Sequence, residues 1–593
     1  MKFLRLLNDS SRNQSRSTWH SKCIDTGVAS RLSHWDSVCK NDSNGIQKAQ
    51  VFIFGRPILE SSDWASFKGE NSYISNWICK RYLNDRWDWL DSLSGAFVIV
   101  ILDSDLQQLH VVTDIAGVCP VYVLNPQCFS SVEFSTHPDL LMNRGNEKNL
   151  DSISIYEFLT RGCINAPHSS WKDVTTLSHA SVHTWEFQED SYSVRQYFSL
   201  EHDPLRNYRL LLDNFIQSVE SAIDKRTRPE LGNKVVLLSG GHDSRIIAAQ
   251  MARKGSALTL YDVWNRECET VEQIVDALEI DHKFLKRGKD YYSLTAKIAP
   301  QLTGPYSSFS NAHFNLIKEF HPELFASCDT LLTGCYADWL FKGIAHNRKR
   351  SRFLGRILPV FSFQPFDFHY FGAVSKLCPE LERALSSRLD EKFDGVDKKN
   401  RNAVELRRLF PIFQEETSAT RLSLQRLHEW EPPFIDRDVL TAYLNIPWQM
   451  KKNHRFFESA CAALAPAVRD IPHSSTGKKV EQSNYFFFAQ RALMRIGKAF
   501  KPISSGRSKL SYFGEGSWID FPSYMDRNGL MQTQWNSVSK ESRDYVADLL
   551  EVNLWNMSAD DIRHIDYHLF YNALTFCCWY DSRFSRERCF EPI

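Results

Sequence analysis

The apolar run Val235-Val236-Leu237-Leu238 stops abruptly at Ser239-Gly240-Gly241-His242-Asp243-Ser244. A short apolar run ended by turn residues predicts a buried strand, and Arg245–Lys254 after it predicts a helix closed by Gly255. Upstream, Ala96–Leu102, Leu109–Thr113 and Val121–Leu124 predict three strands, and Val182–Phe187 alternates as a half-buried strand does. Asp114–Pro120 holds the Asp, Gly and Pro expected of the turn between two of them. Residues 1–200 thus predict mostly strands and turns, an all-β or α+β sandwich. The texture changes near 205. Leu212, Phe215, Ile216, Val219, Ala222 and Ile223 share one face of a helix predicted over 207–225. Ala257–Tyr261 predicts a strand, Cys268–Leu278 a helix, and Thr330–Gly334 a strand running into a loop. Strand–helix alternation implies a doubly wound parallel sheet. Beyond 345 the pattern is mainly helical. The expected fold class is therefore α+β followed by α/β: a β-sandwich domain over 1–203 and a parallel-sheet domain with helical additions over 204–593.

Composition narrows the function classes. Lys+Arg and Asp+Glu balance at 71 each, so there is no overall basic surface for nucleic acid. No stretch approaches the roughly 18 apolar residues of a membrane span, and Met1–Leu7 is too short for a signal-peptide core. The 14 Cys lack metal-ligand spacing and include the adjacent pair Cys577-Cys578, which implies reduced core thiols in a cytoplasmic protein. The basic run His346–Arg352 reads as a solvated loop or as a contact for an acidic or phosphorylated ligand. Asp394–Asn402 is polar and is expected to be mobile.

The turn Ser239–Ser244 carries the chemistry. Amides at a helix N-terminus favour an anion, whereas Asp243 would repel phosphate unless a cation lay between them. A phosphate chain carrying Mg²⁺ meets both demands. The Gly-Lys-Ser/Thr of a Walker loop is absent from this turn. Gly334–Asp338 leaves a second strand at its carboxyl end, where such sheets bind ligands.

Ser239–Ser244 resembles the SGGxDS pyrophosphate loop of the ATP-pyrophosphatases, and its surroundings resemble their asparagine synthetase branch. Thr333-Gly334-Cys335-Tyr336-Ala337-Asp338 matches that branch's second loop, and Glu429–Asp436 its Glu-x-x-x-Pro-Phe-Leu-Asp segment. Gly95-Ala96-Phe97 with Asp114, Gly117, Pro120, Val121 and Tyr122 resembles its glutamine amidotransferase-type domain. Lys509–Gly516 resembles the late lysine segment of the β-lactam-forming members, with one extra residue before Glu515. The resemblance spans roughly 80–590. Members that release ammonia from glutamine use an N-terminal Cys, whereas this sequence starts Met1-Lys2 and its first Cys is Cys23. Glutaminase-deficient members include the β-lactam synthetases and the lasso peptide cyclases, and the chain is most similar to the latter.

The resemblance implies the following roles. ATP would lie with its adenine on main chain at Leu237 and Leu260, beside Gly334. Ser239, Gly240, Gly241 and Ser244 would hold its phosphates, and Asp243 and Asp338 would hold Mg²⁺. Lys509 would stabilise the adenylate, with Lys498 and Lys501 as alternatives, and Glu429, with Tyr336 beside it, would orient or deprotonate the amine. The implied partners are a linear precursor peptide, a leader peptidase and a leader-recognition protein. Plainer roles stand beside these: a helix N-cap for Asp338, a surface position for Lys509, a salt bridge to Arg426 or Arg437 for Glu429, a packed thiol for Cys335 and a turn for Asp114.

Overall fold

The computed structural model describes residues 2–9, 18–25, 37–38, 49–64, 74–126, 132–142, 149–203, 205, 207–288, 290–326, 328–343, 348–350, 361–363, 378–414, 418–427, 430–451, 454–480, 482, 529–557 and 567–584. The N-terminal half holds two antiparallel sheets. One runs Thr18–Asp25, Lys2–Asp9, Glu133–Ser135, Tyr122–Leu124, Val174–Thr176. The other runs Ser191–Gln196, Ser181–Glu186, Gln108–Thr113, Leu93–Asp103, Ala49–Leu59, Ser37–Val38.

Leu93–Asp103 is buried at every position because both of its faces are covered. Ala96, Val98, Val100 and Leu102 join the main core, while Phe97, Ile99 and Ile101 pack with Trp77, Ile78, Tyr82 and Trp89. A continuous apolar run is the signature of such a strand. Trp77, Ile78 and Tyr82 belong to the helix Ile74–Asp85, which the reading of this half as mostly strands missed, as it missed Ser152–Arg161. The buried face of the first helix is built from aromatic and β-branched residues, which favour strands when read locally.

In the second half, five strands form a wholly parallel sheet in the order Asp281–Lys286, Gly255–Tyr261, Lys234–Leu237, Thr330–Leu332, Trp430–Glu431. The chain starts in the middle, builds outward to one edge, then returns to build the other. The winding direction switches between Lys234–Leu237 and Thr330–Leu332, where a crevice opens at the strands' carboxyl ends. The helix Tyr208–Arg226, capped by the Asn207 side chain, buries Leu211, Phe215, Val219, Ala222 and Ile223. Gly255 does not close the preceding helix, which ends at Met251; it opens the next strand. A Cβ at Gly255 would lie 2.5 Å from the Lys234 carbonyl oxygen, so only glycine lets the two strands pair at this point.

One polar stretch differs from expectation, and another caps a helix. Arg348–Arg350 is not loop but pairs antiparallel with Phe361–Phe363, while the rest of the basic run lies outside the described residues. Within Asp394–Asn402, Asn400 caps the helix Arg401–Leu409, and Asn402 is buried. Ten cysteines, from Cys79 to Cys578, have described side chains, and all ten are free. Among the described residues, no helix is long and apolar enough to cross a membrane.

Burial also writes a pH dependence into the sandwich. His183 is 1% exposed, with Nδ1 at 2.7 Å from the Tyr192 hydroxyl and Nε2 at 3.0 Å from the Ser178 carbonyl oxygen. Burial lowers its pKa to about 4, against the opposing pull of that carbonyl. An unfolded histidine titrates near 6.5, so between about 6.5 and 4 the unfolded chain binds a proton that the folded chain refuses. Stability is therefore lost as pH falls through that window, by up to about 1.4 kcal/mol per pH unit for one such group. In urea titrations, His183→Gln should lose less stability than the parent between pH 7 and pH 5. Equal losses would count against this source.

Candidate active site

Both loops named from the sequence leave the sheet at the switch point. Ser239–Gly241 follows Lys234–Leu237, and Thr333–Tyr336 follows Thr330–Leu332. They touch: a Cβ at Gly334 would lie 2.6 Å from Asp243 Cβ and 2.9 Å from the Ser244 amide nitrogen. Leu237 and Leu260 sit near the carboxyl ends of adjacent strands, as an adenine-binding edge would require.

The first loop is braced from within. Ser244 Oγ accepts the Ser239 amide at 2.9 Å and lies 3.0 Å from Ser239 Oγ, which in turn accepts the Gly241 amide at 3.3 Å. The Gly240 amide donates to Glu267 Oε1 at 3.1 Å. The helix His242–Met251 begins at Gly241 with no side chain capping it, and the first amides of a helix have no intrahelical acceptor and favour an anion.

A roof covers the loop. The Ser474 amide donates to the Gly240 carbonyl at 3.2 Å, and a Cβ at Gly240 would meet Ser474 Cβ at 2.4 Å. Fully buried Arg245 donates to the carbonyls of Val468, Ile471, Pro472 and Gly240, tying roof to loop. Lys478 anchors the far end on Glu458 at 2.6 Å. His473 packs edge-on against His242 at 4.8 Å, and His242 Nε2 is buried without a hydrogen-bond partner. Glu267, Arg245 and the 471–480 roof are site components that sequence reasoning missed.

So is Lys342. Its ammonium lies 2.7 and 2.8 Å from the two carboxylate oxygens of Asp243 and 2.5 Å from Asp338 Oδ1. Its spacing from Asp338, four residues on along a helix, is the one signal that could have found it. Burial and the neighbouring Asp338 raise the Asp243 pKa to about 7, with Lys342 opposing. Asp338 moves the other way: Lys342 outweighs the effect of burial and lowers its pKa. Asp338 is not an N-cap. It stands in the first turn of Ala337–Phe341, whose N-cap is Tyr336 at φ +72°. Tyr336 is buried, 5.9 Å from the Trp430 ring, and holds a left-handed conformation that costs on the order of 1 kcal/mol or more for a bulky residue.

The two carboxylates have the right chemistry for Mg²⁺, but the space between them is filled by the lysine. With that ammonium 2.5 to 2.8 Å from both carboxylates, a bridging metal does not fit this arrangement. Glu429 and Lys509, with Lys498 and Lys501, lie outside the described residues. Glu429 directly precedes the edge strand Trp430–Glu431, while Arg437 pairs with Asp91 at 2.8 Å. Cys335 is half-buried. Asp114 is a turn residue, accepting the Val118 and Cys119 amides at 2.9 Å each.

A family model described as a glutamine amidotransferase domain matches residues 78–198, and one described as asparagine synthase matches 214–459. No curated protein matches the chain. Solved structures similar to it include an NH3-dependent NAD synthetase from Campylobacter jejuni, 14% identical over 38% of this chain and 94% of that one, with a TM-score of 0.18. An NMN synthetase from Francisella tularensis is 15% identical over 38% and 94%, with a TM-score of 0.18. The U34-tRNA thiolase NcsA from Methanococcus maripaludis is 10% identical over 51% and 82%, with a TM-score of 0.20. At these scores the likenesses carry no argument. The two family matches, in this order and on these two sheet systems, do: the chain belongs to the asparagine synthetase-like family and is an AMP-forming, ATP-dependent carbon–nitrogen ligase.

Proposed function

We propose that this ligase is a lasso peptide cyclase acting in the cytoplasm. It would activate an Asp or Glu side chain of a leaderless precursor peptide and join it to the peptide's own N-terminal amine. The carboxylate attacks the α-phosphorus of ATP, pyrophosphate leaves, and an acyl-adenylate forms. The amine then attacks the acyl carbon, AMP leaves, and an isopeptide macrolactam closes. The amides at the start of the helix His242–Met251 would receive the phosphates. Lys509 would stabilise charge on the adenylate, and Glu429 with Tyr336 would take the amine's proton. Holding both ends of one folded peptide removes much of the entropic barrier to closure. A leader peptidase and a leader-recognition protein would deliver the substrate.

The observation that carries this reading is the state of the amidotransferase-type half. Of the cysteines there with described side chains, Cys79 and Cys119 are buried and Cys163 is half-buried; burial pushes the Cys119 thiol far up, so Cys79 and Cys119 are packing groups and not nucleophiles for glutamine. That favours an amine drawn from the substrate itself. The test is incubation with ATP and a linear peptide bearing a free N-terminus and a downstream acidic residue. AMP release with loss of one water from the peptide mass supports cyclisation. AMP formed only with a free amino acid and ammonia, and no cyclic peptide, would assign the chain to another amide-forming branch.

A further inference from the structure

We propose that Lys342 is the resident cation of this active site, standing where a bridging divalent metal would otherwise join Asp243 and Asp338. An ammonium has three N–H donors. At Lys342 three carboxylate oxygens, two of Asp243 and one of Asp338, lie at 2.5 to 2.8 Å. The ammonium donates to Asp243 Oδ2, and both carboxylates lie within ion-pair distance of it.

The position is built, not incidental. Lys342 lies at the end of the helix Ala337–Phe341, where the left-handed Gly343 turns the chain away. Its ammonium lies 5.1 Å above the Phe457 ring, which closes the apolar side. Gly334, without a Cβ, lets the second loop press against Asp243 so that one lysine reaches both acids. Asp243 is 15% exposed and Lys342 8%, whereas Asp338 is 52% exposed. Two carboxylates and one ammonium leave the triad with at most one negative charge. An incoming phosphate chain therefore meets a partly neutralised pair before any metal arrives. A divalent ion then belongs to the nucleotide and not to the protein, consistent with the reluctance of Mg²⁺ to leave its waters and its habit of binding through substrate phosphates.

The inference is independent of which amine the enzyme uses, and it is tested without nucleotide. Mn²⁺ binding to the full chain is followed by the loss of the free-ion electron paramagnetic resonance signal. The parent and Lys342→Arg should show no site at this pair. Lys342→Met should gain one, binding Mn²⁺ about tenfold or more tightly than the parent because ligand charge sets such affinities. Adding Asp338→Asn to that variant should remove the site again. A parent site that Asp338→Asn abolishes, or a Lys342→Met variant that binds no more Mn²⁺ than the parent, overturns the proposal. If Lys342→Met does not fold, the parent and Asp338→Asn titrations decide alone: no difference supports a resident lysine, and a lost site refutes it.

Discussion

Asp436→Ala is expected to lower the unfolding free energy by about 3–5 kcal/mol, the cost of leaving a buried cation uncompensated. Arg226, Glu431 and Asp436 are all fully buried. Arg226 Nη1 meets Asp436 Oδ2 at 2.6 Å, and its Nε stands 3.5 Å from Glu431. Lys225 adds 3.5 Å to Asp436, 2.6 Å to Glu60 and 2.9 Å to Asp438. Burial alone would raise the Asp436 pKa, but Arg226 and Lys225 hold it below the ordinary carboxylate value. Removing this carboxylate leaves Arg226 with the longer Glu431 contact and takes away the cap that accepts the Asp438 amide at 3.2 Å. The network ties the helix Tyr208–Arg226 to the edge strand that Glu429 precedes, and Glu60 extends it into the N-terminal half. Urea unfolding of the parent, Asp436→Ala and Asp436→Asn measures it. Asn can still cap the helix, so it should lose less. A loss under about 1 kcal/mol for Ala would mean that Glu431, Glu60 and Asp438 suffice as counter-charges.

Local pattern made some of this architecture legible and long-range contact hid the rest. Val235–Ser244 announced strand, turn and helix because each piece obeys its own periodicity. Gly334–Asp338 could be placed beside it because parallel-sheet ligands gather at carboxyl ends. Gly255 misled because glycine serves equally at a helix end and at a close strand approach, and only the Lys234 carbonyl decides between them. Glu267 and Arg245 look like ordinary helix-surface charges until the fold puts Gly240 and the 471–480 roof against them. The roof itself, Ile471–Val480, reads as a loop more than two hundred residues past the turn it covers. Lys342 is the instructive omission. Asp243 needs a cation between itself and phosphate, and the turn alone points to Mg²⁺ for it. The chain supplies one, eight residues beyond Gly334.

The largest catalytic effect is expected from Gly334→Ala, which should reduce AMP formation about 100-fold while the protein stays folded, since a displacement near 1 Å at a reacting centre has that consequence. The added methyl would lie 2.6 Å from Asp243 Cβ and 2.9 Å from the Ser244 amide nitrogen. Neither is the free end of a flexible side chain, so the loops must part by several tenths of an ångström or more. Ser244 carries the brace to Ser239, so the phosphate loop moves with it. Asp243 moves too, and its two short contacts to Lys342 lengthen. The pairing Lys234↔Thr330, Val235↔Leu331, Val236↔Leu332 lies behind the loops and is untouched, so the sheet persists. Overpacking of this kind costs about 1–3 kcal/mol, less than the Asp436 network. The comparison with Gly240→Ala separates loop geometry from loop cover. That methyl meets Ser474 Cβ at 2.4 Å, and the roof can lift while Asp243 and Lys342 stay in contact. Gly240→Ala should therefore raise the KM for ATP more than it lowers kcat, whereas Gly334→Ala should lower kcat. Steady-state kinetics of pyrophosphate release for the two variants decides it, and a Gly334→Ala enzyme with parental kcat would show that the contact between the loops does not set the reacting geometry.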